Sequence, residues 1–210
     1  MRKVALTALA GTSIEWYDFF LYGAAAALVF PTAFFGEVPE STALILSLLT
    51  FAAGFIARTI GEIIFGHFGD KVGRKKTLVA ALMLMGIAST LIGLLPTYAM
   101  IGVTAPILLT TLRFAQGLAI GGQWGGAMLL VTESAPSNQR GYYGAYAQAG
   151  APMGVILANL AFIATSASLS DEAFMSWGWR IPFIASAVLI GISMYVQITM
   201  EDTKAFKELQ

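Results

Sequence analysis

Gly66-His67-Phe68-Gly69-Asp70-Lys71-Val72-Gly73-Arg74-Lys75-Lys76 is a short basic stretch set between two long apolar runs. On its amino side, residues 42–68 carry only Arg58 and Glu62 as charged groups; on its carboxyl side, residues 77–95 carry none. Each run is long enough to cross a bilayer, which takes roughly 20 mostly apolar residues. A loop between two spans at this point fixes the register of the rest. Outward from it the chain offers runs at about residues 8–34, 42–68, 77–95, 101–131, 142–164 and 179–199. The runs are continuously apolar, whereas a membrane barrel would alternate. In lipid, a helix satisfies its own backbone polar groups. The expected fold is an all-α membrane protein, with residues 1–210 forming one bundle of six transmembrane helices.

Composition agrees. Hydrophobic residues make up 57% of the chain and charged residues 11%, with a mean hydropathy of +0.75. A soluble domain is about a quarter charged, so lipid must solvate much of this surface. The formal net charge is zero, which argues against nucleic acid as a partner. Without cysteine there is no disulfide or thiolate metal site. Neither a metal-ligand cluster nor a phosphate-cradling glycine loop is present, and no cofactor is expected. Arg2 and Lys3 precede an apolar run that continues far beyond the core of a signal peptide.

The basic residues orient the bundle. Of twelve Lys and Arg, nine fall on one side of the six-span threading: Arg2, Lys3, Lys71, Arg74, Lys75, Lys76, Arg140, Lys204 and Lys207. Arg180 falls on the other side, and Arg58 and Arg113 lie within spans. The positive-inside rule then places both termini in the cytoplasm of a multi-pass protein of the cell membrane. The acidic residues Glu37, Glu40, Asp171 and Glu172 face outward, and Trp177 and Trp179 stand where an outer aromatic belt would anchor.

Charges inside spans are costly, from about 2.5 kcal/mol each, so they call for a partner, a wet cavity or a task. Glu15 and Asp18 share one face of the first span, and Arg113 lies in the fourth. One reading is a carboxyl that gains and loses a proton opposite an arginine, coupling proton and substrate movement. The other is an ion pair that holds two helices together. Arg58 and Glu62, four residues apart, are expected to pair with each other. Tyr17, Tyr22, Arg113, Gln116, Gln123, Trp124, Gln148 and Asn159 are candidates to line a substrate cavity, or else to bond between helices. The glycines from Gly117 to Gly126 read as a close-packing face, and Pro152 as a kink.

The Gly66–Lys76 stretch resembles the signature loop of the major facilitator superfamily. Gly11-Thr12-Ser13-Ile14-Glu15-Trp16-Tyr17-Asp18-Phe19-Phe20 is similar to the first helix of the metabolite–proton symporters within it. Arg113-Phe114-Ala115-Gln116-Gly117 with Gly121-Gly122-Gln123-Trp124-Gly125-Gly126 is similar to their fourth helix. Gly150-Ala151-Pro152-Met153-Gly154 fits the fifth, and Ser176-Trp177-Gly178-Trp179-Arg180-Ile181-Pro182-Phe183 the start of the sixth. Gln123, Glu62, Thr59 and Lys204 depart from it, where Glu, Gly, Pro and Pro are more usual.

The resemblance implies a 3+3 inverted repeat forming half of a twelve-helix transporter, with the second six-helix half absent from this chain. It implies small-molecule substrates such as organic acids, amino acids or betaines, moved with protons by alternating access. It also implies a cytoplasmic gate, with Asp70 held by Arg74, Arg140 or a helix amino end, Glu133 and Glu201 in the same network, and Gly66 and Gly73 allowing close approach. A truncated half serving as scaffold is the alternative. An intramembrane enzyme is disfavoured, because the acids within spans are few and dispersed.

Overall fold

The computed structural model describes residues 2–199. Its helices are α1 (Arg2–Leu28), α2 (Phe30–Phe35), α3 (Glu40–Val72), α4 (Arg74–Leu94), α5 (Tyr98–Ile101), α6 (Thr104–Ser134), α7 (Arg140–Ser168), α8 (Asp171–Ala173) and α9 (Arg180–Thr199). Six are long, and α2, α5 and α8 are caps on the links between them. The first apolar run is interrupted at Val29, because Pro31 at the start of α2 has no N–H to give and its ring crowds the preceding turn. Backbone bonds from Val29 to Ala25 and from Ala33 to Val29 keep the path helical across the break. The last run is entered through a bend: a π-helical turn, Phe174–Gly178, precedes α9, and the segments Asp171–Gly178 and Arg180–Tyr195 meet at 46°. Between α3 and α4 the chain turns at Gly73, whose φ of 110° lies where a side chain would be strained.

Two helix pairings dominate, α1 with α7 and α3 with α6, followed by α4 with α9. The first two pairs run parallel: Gly150 and Gly154 of α7 meet Thr12 and Trp16 of α1, while Gly117 and Gly121 of α6 meet Gly54 and Arg58 of α3. The third runs antiparallel, with Gly86 of α4 against Ile190 of α9 and Gly93 against Phe183. An inverted repeat that exchanges α1 with α6, α3 with α7 and α4 with α9 maps the first pair onto the second and the third onto itself. The small faces match as well. Gly54, Ala57 and Gly61 on α3 recur in spacing as Ala147, Gly150 and Gly154 on α7.

By length and apolarity, three helices among the described residues could each cross a membrane, and a bent fourth if the last two segments count as one span. Falling below that apolarity are α1 and α6, which carry Glu15, Asp18, Arg113 and Gln116, all buried. Those polar groups face protein rather than lipid. Elsewhere the outward surface is apolar, as at Ile56 and Ile63 on α3 or Leu160 and Ile163 on α7, each more than half exposed.

Candidate functional site: a buried polar hub

Asp18 sits at mid-length of α1 and is fully buried. Its apolar helix neighbours Leu21 and Ala25 pack into the core, so its side chain enters the same interior. Three donors from three other helices converge on it. Ser186 of α9 donates to Oδ1 at 2.6 Å. Ser89 of α4 donates to Oδ2 at 2.5 Å, and the Gln116 amide of α6 donates to that same oxygen. Gln116 Nε2 also donates to Ser89 Oγ at 2.9 Å. Four of the six long helices therefore meet at one carboxyl group.

Arg113, one turn before Gln116 on α6, is fully buried and donates from Nη1 to Gln116 Oε1 at 2.8 Å. The bond fixes the amide: its oxygen faces the guanidinium, so its nitrogen must face Asp18 and Ser89. Gln116 thus relays between the Asp18 carboxyl and the Arg113 guanidinium, which make no direct ion pair. The guanidinium carbon lies 4.3 Å from the ring centre of Tyr22, 4.8 Å from Phe51 and 5.1 Å from Phe19. Such contacts stabilise a desolvated cation by about 2 kcal/mol or more in total. Gly54 of α3 leaves the room: a Cβ there would stand 2.6 Å from Arg113 Nε. Among the described residues Arg113 Nε and Nη2 have no hydrogen-bond partner, an uncommon state for a buried cation.

Glu15, one turn before Asp18, is also buried, and its Oε1 lacks a partner among the described residues. Arg58 pairs with Glu62, Nε to Oε1 at 3.4 Å, as their spacing suggests, and lies over the Trp16 ring at 5.5 Å.

The other residues singled out from sequence occupy several settings. Tyr22 bonds Thr50 of α3 at 2.7 Å, and Tyr17 donates to the Pro182 carbonyl of α9 at 3.0 Å. Gln123 donates to the Leu78 carbonyl of α4 at 2.8 Å. These three tie helices together. Gln148 and Asn159 are exposed on α7, where Asn159 bonds the Val155 carbonyl of its own helix. The side chain of Trp124 lies outside the described residues.

At the opposite end of α3, the gate candidates are dispersed. Asp70 and Arg140 are both exposed, and no hydrogen bond or ion pair joins them among the described residues. Of the partners expected for Asp70, the Arg140 alternative is thus not formed among the described residues, α3 packing chiefly on α6 and α7 chiefly on α1. Gly66 is exposed with open space about it, so it mediates no close approach here. Glu133 is half-buried near the end of α6. Glu201 and the Arg74 side chain lie outside the described residues.

Ser89 and Ser186 escape the sequence reading. A lone serine in an apolar span ordinarily bonds the carbonyl four residues back, as Ser89 also does to Met85 at 2.9 Å. Their one distinguishing signal is depth, level with the middle of the first span.

The site is thus an acid and a guanidinium buried where the helices of a six-helix bundle of inverted-repeat form cross. The chain belongs to the sugar (and other) transporter family, whose model matches residues 3–208. It is 53% identical over 208 residues to the inner membrane metabolite transport protein YhjE of Escherichia coli, covering 99% of this chain and 47% of that protein. To the shikimate transporter of the same organism it is 46% identical, covering 100% of this chain and 48% of the relative. A proline/betaine transporter of Salmonella typhimurium is 38% identical, with 99% and 41% covered. Among solved structures, a partially occluded inward-open xylose transporter XylE of E. coli superposes with a TM-score of 0.86 at 18% identity, over 99% of this chain and 51% of that one. The chain spans about half the length of the curated relatives it matches. The fold expected from the signature loop, an all-helical major facilitator half-bundle, thus holds.

Proposed function

We propose that this chain forms one half of a proton-coupled carrier that moves a small metabolite across the bacterial inner membrane by alternating access. Its second half would be another six-helix bundle, in the same polypeptide or a partner. The observation that carries the reading is the Asp18 hub, where one ionisable group, fully buried, is held by donors from α4, α6 and α9. A proton gained or lost there falls on a carboxyl that three other helices bond, and a ligand shifts only an equilibrium whose states it binds differently. Arg113 supplies the countercharge through Gln116, with Nε and Nη2 unpaired among the described residues and able to meet a substrate carboxylate when the helices part. The names of relatives support an organic acid, amino acid or betaine-like solute, and one solved neighbour is named a proton:xylose symporter. Glu15 is a second candidate acid. Tyr17, Tyr22, Gln116, Gln123, Trp124, Gln148 and Asn159 remain the candidate substrate contacts, and Asp70, Arg74, Glu133, Arg140 and Glu201, with Gly66 and Gly73, the candidate cytoplasmic gate.

The test is uptake of radiolabelled shikimate, proline and glycine betaine into vesicles holding the carrier, with and without an imposed pH gradient. Asp18→Asn should abolish uphill accumulation and preserve downhill exchange in part, because a neutral amide mimics the protonated acid. Full accumulation by Asp18→Asn would reduce Asp18 to a structural partner.

A further inference from the structure

A carboxyl group that changes charge inside a bundle makes opposite demands in its two states. Charged, it needs donors; protonated, its own hydroxyl needs an acceptor. The two serines on Asp18 differ in how they can answer. Ser89 Oγ lies 2.5 Å from Asp18 Oδ2 and 2.9 Å from the Met85 carbonyl, and it accepts from Gln116. It has one proton and two places to put it. Ser186 is within bonding distance of Asp18 Oδ1 alone among the described residues. The carbonyl four residues before it, that of Pro182, already receives the Tyr17 hydroxyl.

We infer that Ser89 is a hydroxyl rotor that lets Asp18 carry a proton on Oδ2, while Ser186 is a fixed donor to Oδ1. The inference rests on the reading of Asp18 as the coupling acid. With Asp18 charged, Ser89 donates to Oδ2. When a proton from water binds Oδ2, the new O–H donates to Ser89 Oγ, and the Ser89 proton swings to the Met85 carbonyl. Ser89 then accepts twice and donates once, with every partner satisfied and no heavy atom displaced. Gln116 cannot take this part, since its nitrogen only donates and its oxygen is held by Arg113. Oδ1 cannot take the proton without leaving the Ser186 hydroxyl unpaired, a cost comparable to a lost buried hydrogen bond. The charged or titratable groups bearing on Asp18 are Arg113 from α6 and Tyr17 on its own helix, while α4 and α9 present the two serine hydroxyls.

The experiment uses the chain in lipid nanodiscs. Vibrational difference spectra follow the protonated-carboxyl band of Asp18, assigned by its loss in Asp18→Asn, across pH. Ser186→Ala removes a donor that favours the charged form, so the pH profile should move up by about one unit, a tenfold change. Ser89→Ala removes a donor from one state and the acceptor from the other. Its profile should stay within a few tenths of a unit of the parent or move down, and Ser89→Thr should restore the parent profile. Ser89→Cys, whose sulfur accepts poorly, stands in if the alanine variant does not fold. An upward shift in Ser89→Ala as large as that in Ser186→Ala would make the serines equivalent donors and overturn the rotor, as would the absence of any Asp18 band. Vesicle uptake separates the two ideas. Unequal serine shifts without proton-driven uptake leave the rotor standing and remove the transport reading; proton-driven uptake with equal shifts does the reverse.

Discussion

At the scale of single residues, Gln116 bears the greatest consequence for its size. It is the one side chain that bonds the buried cation and the buried acid together. Gln116→Leu keeps the volume and removes both bonds, leaving Arg113 without a hydrogen-bond acceptor and Asp18 short of a donor. Breaking a buried ionic arrangement in this way costs roughly 3–5 kcal/mol. Unfolding of the variant by denaturing detergent should therefore begin at clearly lower concentration than in the parent, and a change of under 1 kcal/mol would remove the relay. Asp18 and Arg113 were legible in the sequence because charge inside an apolar run is rare and costly. Gln116 was legible as polar but not as a relay, since its spacing to Arg113 gives a shared face without saying what lies between. Ser89 and Ser186 stood out in the sequence by depth alone, because a hydroxyl costs little in a helix that can satisfy it internally.

Among the helices themselves, the close parallel pairs depend on absent side chains. Gly121 of α6 lies directly against the backbone of Arg58 and Glu62 on α3, so any Cβ there forces the helices apart. Gly121→Val should lower stability by about 2–4 kcal/mol, in the range of overpacked or disrupted cores. Gly191 of α9 is the control, because a Cβ there meets open space. Gly191→Ala should be neutral or stabilising by up to about 1 kcal/mol through helix propensity. Thermal unfolding of the two variants side by side checks the contrast, and equal losses would contradict the packing described. The long helices were readable from apolar runs, but their breaks were only partly so. Pro31 stands in the sequence as a warning at the end of the first run, whereas no apolar pattern marks the π-helical turn at Phe174–Gly178, where Gly178 lies against Leu169.

For the molecule as a whole, orientation rests on charge distribution. Among described residues, Arg2, Lys71, Lys76 and Arg140 cluster at one end of the bundle. At the other, Arg180 clasps the Leu95 carbonyl at 2.9 Å and Tyr98 bonds Glu37 at 3.2 Å. With the basic end cytoplasmic, a cysteine replacing Ser170 should react with an impermeant thiol reagent in intact cells, and one replacing Lys75 should react only after permeabilisation. The reverse pattern would invert the protein. The six-helix half was legible because loop charge and apolar length agree; the pairing of helices was not, since hydropathy carries no information on which neighbour a glycine face meets.

The hub also sets a problem of timing. Asp18 emerges early in synthesis, but its partners lie 71, 98 and 168 residues further along the chain. At 5–20 residues per second, the last of them is made on the order of 10–30 s later. Until Arg113 and Gln116 are made, the first helix carries two acids with no countercharge from α6, and until Ser186 is made the hub is incomplete, so α1 is poorly suited to rest alone in lipid. The insertion machinery must shelter it, or let it wait at the interface, until α9 arrives. Nascent chains arrested before Ser186 should therefore crosslink to the translocation channel through α1, and chains arrested well beyond it should have let go.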